Sequence, residues 1–186
     1  MVKGYNIAMP EYLDILDDKG KKTGSTAEYN DVHKNGQIHR TVHVWFINSK
    51  KQILVQKRSA NKSAYPSLWD ISVAGHVSSG ETSLEAAKKE VREEVGIELP
   101  DQAFTFLATL KQPRTIHNKD FIDDEFNDVY IAACDADISD LTIELKEVEE
   151  VRWLELPEFK EWVKGRGEPM VPHEEEYGLL LSKLIQ

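Results

Sequence analysis

The chain has one cysteine, Cys134, in 186 residues. An internal disulfide and any multi-cysteine zinc knuckle are therefore excluded, and the thiol content fits a reducing cytoplasm. Long apolar runs are missing too, since nothing approaches the roughly 20 residues that span a bilayer. The opening stretch, MVKGYNIAMPEYLDI, is broken by Gly4, Asn6 and Pro10 and lacks the apolar core of a secretory leader. These absences make a cytoplasmic protein with no membrane partner the expectation. Basic residues are in deficit, 23 Lys and Arg against 33 Asp and Glu, for a net charge of −10. A nucleic acid polymer is thereby excluded as the main partner, because neutralising its phosphates needs clustered cations. A small phosphorylated substrate remains compatible if a metal ion or a local basic pocket offsets the field. Repeats, low-complexity tracts and Gly/Ser linkers are absent as well, so residues 1–186 read as one domain. A homodimer, the commonest soluble assembly, is the default oligomer.

What is present alternates between strand and helix signals. EYLDILDDKGKKTGSTAEYN predicts a β-hairpin within an N-terminal extension, residues 1–38. Two β-rich runs follow, Thr41 to Ile47 and Gln52 to Lys57, joined at Asn48-Ser49-Lys50-Lys51, and LWDISVAGHV supplies a third. FTFLATLKQPRT and FNDVYIAACDA flank a polar loop over 113–125, and EVRWLEL is a last short strand. Residues 157–186 predict two closing helices. The interleaving points to an α/β domain with a mixed sheet covered by helices.

The clearest helix is TSLEAAKKEVREEV. Thr82 and Glu85 form a capping box, Gly96 occupies the position where a left-handed residue ends a helix, and Leu84, Ala87, Val91 and Val95 make the apolar stripe. The helix is predicted over Ser83 to Val95. Glu85, Lys89 and Glu93, four apart, read as a surface ladder of alternating charge. Glu90 and Glu94 lack a basic partner at helical spacing and lie beside the apolar stripe. Partly desolvated carboxylates in contact are costly unless they are protonated or share a cation, so the pair marks a candidate metal site.

The surrounding pattern sharpens this. Gly75, five residues, Glu81, seven residues and then KEVREEVGI resembles the Nudix box G-x5-E-x7-R-E-U-x-E-E-x-G-U, where U is aliphatic. Every defined position matches except Lys89, which stands for an arginine and loses its bidentate fork. The resemblance implies an α/β/α sandwich around a mixed sheet and an enzyme dependent on Mg2+ (or Mn2+). Such an enzyme hydrolyses a diphosphate linkage in a nucleotide or related small organic diphosphate. It implies Glu90, Glu93 and Glu94 as metal ligands, and Glu81 as a further ligand or the residue orienting the catalytic water. Lys89 would orient the glutamates less firmly than arginine does. The general base stays open among Glu94, Glu81, Asp124 and Glu125, the last two sitting in a loop that reads equally as a solvated acidic turn. Lys57 and Arg58, closing a strand, are candidate phosphate contacts or plain surface.

A second resemblance runs from about Tyr12 to Leu156. EYLDILDDKGKKTG, HRTVHVWFIN and LVQKRSANKSAYPSLWDISVAGHV are similar to the Nudix branch nearest type 1 isopentenyl-diphosphate isomerases. In those isomerases histidines in the segments of His39 and His76, with one upstream matched by His33, bind a metal together with acidic residues in DDEF, Glu125 among them. Here the resemblance implies His39 and His76 as vestigial metal ligands or substrate contacts. The isomerases need a cysteine just before the glycine of CGH. Ala74 stands there in SVAGHV and can neither give nor take a proton. Cys134 lies in an unrelated strand. Hydrolysis is therefore expected over isomerisation, and retention of all four box glutamates disfavours a non-catalytic nucleotide-binding module. His43 and His117 read as structural, and His173 as a surface residue.

Overall fold

The computed structural model describes residues 10–185. Residues 1–9 of the expected N-terminal extension, which begin the stretch read as lacking a leader, lie outside the described residues, as does Gln186. The hairpin forms from β1 (Tyr12–Leu16) and β2 (Lys22–Glu28), and α1 (Tyr29–Asn35) follows directly. Its turn is fastened by the Asp17 carboxylate, which accepts from the amides of Lys19 and Lys21 at 2.9 Å each.

The central sheet contains β3 (His39–Ile47), β4 (Ile53–Arg58), β5 (Trp69–Asp70), β6 (Val73–His76), β7 (Phe104–Lys111), β10 (Glu125–Ala133) and β11 (Val148–Leu154). Its main path runs β11-β4-β3-β10-β7, with β5 paired to β4 and β6 to β3. β3 and β10 are parallel and the other pairs antiparallel, so the sheet is mixed as expected. The polar loop predicted over 113–125 instead folds as a second hairpin, β8 (Thr115–Asn118) with β9 (Phe121–Asp123).

Strand alternation assigns the two faces. Val42, Val44 and Phe46 of β3 face the core under α2 (Ser83–Val95), where they meet the buried Ala87, Val91 and Val95. Trp45 of β3, with Ile53 and Val55 of β4, faces the second core against Phe159 and Trp162 of α3 (Leu156–Trp162). Tyr177 and Leu180 of α4 (Glu174–Leu184) complete that core. This is the α/β/α sandwich predicted. Helix α2 has its predicted bounds, with both arms of the Thr82–Glu85 capping box present and Gly96 left-handed at φ 73°. Cys134 is buried and free. No helix among the described residues is long and apolar enough to cross a membrane.

Candidate active site

β3 and β4 pair only at Ile47 and Ile53, then diverge. β5 and β6 fill the wedge, with His43 opposite Ala74 and Thr41 opposite His76. The divergence opens a cleft of about 1710 Å³ beside α2, whose lining includes Glu90, Glu93 and Glu94.

Gly75 explains how Glu90 fits, because a Cβ at that position would overlap the Glu90 carboxyl group. Glu94 is buried, accepting from the Gln56 amide at 3.0 Å and from the Ala74 backbone N–H at 3.4 Å. Burial pushes the Glu90 carboxyl up to about 7 despite Lys89 beside it. Burial together with the Glu90 charge pushes Glu94 up to about 8. Lys89 departs from the expected surface ladder. Its Nζ lies 3.3 Å from Glu90 and 3.7 Å from Glu81, and it donates to the Ser78 hydroxyl at 3.4 Å. Glu90 thus has a cation after all, one residue away in sequence, because a lysine stem is long enough to bend back along the helix. Glu81 accepts from the Ser78 amide at 3.1 Å and stands outside the main cleft, in a smaller cavity with Asp14 and Arg40.

A second group of side chains is a cluster of histidines. His33, His39 and His76 have ring centroids 4.8 to 5.2 Å apart. Glu125 reaches His39 at 3.3 Å and His76 at 4.0 Å. Topology assembles them: parallel pairing sets Glu125 beside His39, β6 brings His76 next to Thr41, and α1 delivers His33. His33 and His39 each place Nδ1 2.9 Å from a backbone carbonyl, of Tyr29 and Gln37 respectively. Nδ1 therefore carries the proton and the Nε2 lone pair is turned inward. The Nε2 atoms of His33, His39 and His76, and Oδ1 of Asp123, are buried with no hydrogen-bond partner. One ligand atom from each of the three histidines and Glu125 lies within 4.8 Å of the others. Orphaned, converging donors of this kind fit a divalent cation. Burial lowers the proton affinity of His33 and His76. Burial also opposes charge on His39, but the Glu125 carboxylate outweighs it and raises its pKa. Glu125, though buried, is held down to about 2 by the neighbouring His39 and His76 rings. Burial and the Glu125 charge raise Asp123 to about 6, against the pull of His117 at 2.7 Å.

The remaining sequence candidates separate. Lys57, a proposed phosphate contact, pairs with Glu149 at 2.8 Å and does not line the cleft. Alternation along β4 sends it to the face opposite Gln56. Arg58 does line the cleft, tied to Asp70 at 2.9 Å. Asp124 points away, bonded to Lys111 and Arg114. His43 is structural as expected, with Nδ1 2.8 Å from Glu176. His173, expected at the surface, is instead packed against Asp70 with only 12% of its side chain exposed. Lys62 and Asp123 reach the cleft without having been singled out. Their only sequence signals were a polar loop and an acidic turn.

Comparison with known proteins bears on family and fold. The NUDIX domain family model matches residues 37–173. The chain is 36% identical over 181 residues to Nudix hydrolase 3 of Arabidopsis thaliana, covering 95% of this chain but 23% of that much longer protein. An uncharacterised Nudix hydrolase of Listeria monocytogenes is 34% identical over 158 residues, 85% of this chain and 87% of its own. The isopentenyl-diphosphate Delta-isomerase of Salmonella heidelberg is 36% identical over 91 residues, about half of each chain (49% and 50%). A solved structure from Deinococcus radiodurans shares the fold with a TM-score of 0.70 at 24% identity, covering 90% of this chain and 96% of that one. With Glu90, Glu93 and Glu94 of the box at one cleft and the family model spanning most of its length, the chain belongs to the Nudix family, among the Nudix hydrolases.

Proposed function

We propose that this chain is a divalent-metal-dependent pyrophosphohydrolase cleaving a diphosphate linkage in a nucleotide or related small organic diphosphate. The observation that carries it is the convergence of Glu90, Glu93 and Glu94 on one cleft with His33, His76 and Glu125, behind which His39 completes the cluster. Cations held there would neutralise the diphosphate and lower the pKa of the attacking water. The all-oxygen glutamate set suits Mg2+ or Mn2+, and the nitrogen-rich cluster would hold a first-row transition ion, Mn2+ included, better than Mg2+.

The chain's own groups supply the rest. Gly75 leaves room for Glu90, and Lys89 steadies it. Gln56 and the Ala74 amide fix Glu94, whose raised proton affinity suits it to hold the proton taken from water. Glu81, through Ser78 and Lys89, braces the start of the box. Lys62 and Lys146 are cleft-wall cations that would face substrate phosphates, while Arg58, on the same wall, is committed to Asp70.

The histidine cluster also favours a second reading, isomerisation of an allylic diphosphate. Ala74 on the cleft wall opposes it, since a methyl group transfers no proton. A Mg2+- and Mn2+-dependent screen over nucleoside diphosphates, nucleotide sugars, dinucleotides and prenyl diphosphates, with the monophosphate products resolved by ion-exchange chromatography, tests the proposal. Cleavage that disappears in Glu94→Gln is expected. Full activity in that variant, or interconversion of isopentenyl and dimethylallyl diphosphates by the wild type, would sink it.

A further inference from the structure

One buried group in the cleft is left unexplained by hydrolysis. His39, Thr41 and His43 alternate onto the same face of β3, and four residues of strand separate the first from the last by about 13 Å. One metal-type group, His33, His39, His76 and Glu125, occupies the His39 end; in the other, His43, His173 and Glu176, the carboxylate is already taken up by His43 and Trp45. At the His43 end the wall is formed by Thr41, His43, Asp70, Val171 and His173. This stretch of wall carries neither the box glutamates nor the His39-end group, which leaves it for the organic part of a substrate, and it is polar.

His173 is the residue with spare capacity. Its Nε2 lies 3.1 Å from Asp70 Oδ1. Asp70 is also bound by the Ile71 amide at 2.8 Å and by Arg58 at 2.9 Å, so it accepts only, and Nε2 must carry the proton. Nδ1 of the same ring is buried with no partner. The neighbouring His43, 5.1 Å away between ring centroids, cannot supply one. Its Nδ1 is engaged by Glu176, and its Nε2 meets the Asn127 amide at 3.1 Å. His173 is also rigidly placed. The Trp69 amide donates to Pro169 at 3.0 Å, the Val171 amide donates to Trp69 at 2.8 Å, and the Tyr177 hydroxyl donates to Val171. The Tyr177 amide then caps onto the His173 carbonyl at 2.8 Å.

The chemistry of the missing partner follows from Nδ1. A neutral ring offers it as an acceptor, a protonated ring as a donor. A hydroxyl group satisfies both states, whereas a hydrocarbon satisfies neither and leaves a buried nitrogen unpaired. We propose that His173, oriented by Asp70, is a specificity-determining residue that hydrogen-bonds a hydroxyl of the substrate's organic moiety, selecting diphosphates of sugar-like groups over those of hydrocarbon chains. The inference rests on the cleft being the diphosphate-hydrolysing site proposed above. Loss of one such buried hydrogen bond costs on the order of tenfold to a hundredfold in selectivity.

The test compares kcat/KM for the better of UDP-glucose and ADP with kcat/KM for geranyl diphosphate. The hydroxylated probe is expected to win by about tenfold or more in the wild type. The ratio should collapse in His173→Phe and largely survive in His173→Gln, whose amide can still accept or donate. A wild-type preference for geranyl diphosphate, or a His173→Phe ratio within about twofold of wild type, overturns the inference and leaves hydrolysis standing. Should no probe be hydrolysed, or the Phe variant not fold, the 15N ring resonances of wild-type His173 decide during titration with UDP-glucose and Mg2+. A shift confined to Nδ1 supports the contact even if hydrolysis has failed, and an unmoved resonance at saturating probe refutes it.

Discussion

The carboxyl group of Glu90 occupies the space a side chain at Gly75 would need. The glycine that opens the box and the glutamate fifteen residues later are thus one steric unit, with β6 lying flat against α2. Gly75→Ala should push the Glu90 carboxyl out of place while preserving the fold. By analogy with residues that position metal ligands, apparent Mg2+ or Mn2+ affinity or turnover should fall about tenfold to a hundredfold. Metal titration of substrate cleavage, with a thermal melt as the folding control, checks this. An unchanged metal dependence would break the link.

Glu94 gives a pH signature. Its folded-state pKa, about 8, lies above that of an unfolded glutamate because of burial and the Glu90 charge. The folded chain therefore holds a proton that the unfolded chain releases, and stability falls as pH rises from about 4.3 toward 8. Glu94→Gln removes that loss. In EDTA at pH 8 the variant should resist urea better than wild type by an amount on the order of 1 kcal/mol or more, and the two should converge near pH 4. Activity should vanish in the same variant. Mg2+ binding to the wild type should release protons, visible as a buffer-dependent calorimetric heat.

The histidine cluster predicts metal retention. Wild-type protein purified with Mn2+ should carry an ion that His76→Gln or His39→Gln loses, and Mn2+ should raise the wild-type melting temperature more than that of either variant. Elemental analysis after gel filtration is the measurement. Equal metal content in all three would remove the cluster as a ligand set.

How much of this was legible in sequence depended on whether the cause was local. Helix α2 was readable because its cap, stripe and terminal glycine all lie within fifteen residues. Helix α1 was not, since seven residues with Val32 and His33 as their buried members hold only by docking on neighbours. The hairpin over 115–123 was missed for a similar reason, being anchored by His33 stacking on Phe121 and by His117 on Asp123. At the site, residue identities came through resemblance to the family. Their convergence came from the parallel register of β3 with β10, which no local pattern encodes. Lys89 and His173 were misjudged for one reason: a charge pattern on one element says nothing about which other element packs over it.

Glu176 carries the last prediction. Fully buried on α4, it accepts from the Trp45 indole at 2.6 Å and from His43 at 2.8 Å, tying the C-terminal helix to β3. Glu176→Leu strands both donors, so it should cost about 2–5 kcal/mol at pH 7, as leaving two buried donors without an acceptor does. Glu176→Gln should cost less, because the amide oxygen still accepts from Trp45. Burial alone would raise the Glu176 pKa, but His43 and His173 outweigh it and hold the carboxyl below its ordinary value. Its stabilisation is therefore complete above the unfolded value of about 4.3 and fades as pH falls through the lower folded value. Urea unfolding of wild type and Glu176→Leu should differ most near neutrality and draw together in acid. A gap that stayed constant down to the acid limit would mean that Glu176 acts by shape alone, without its charge.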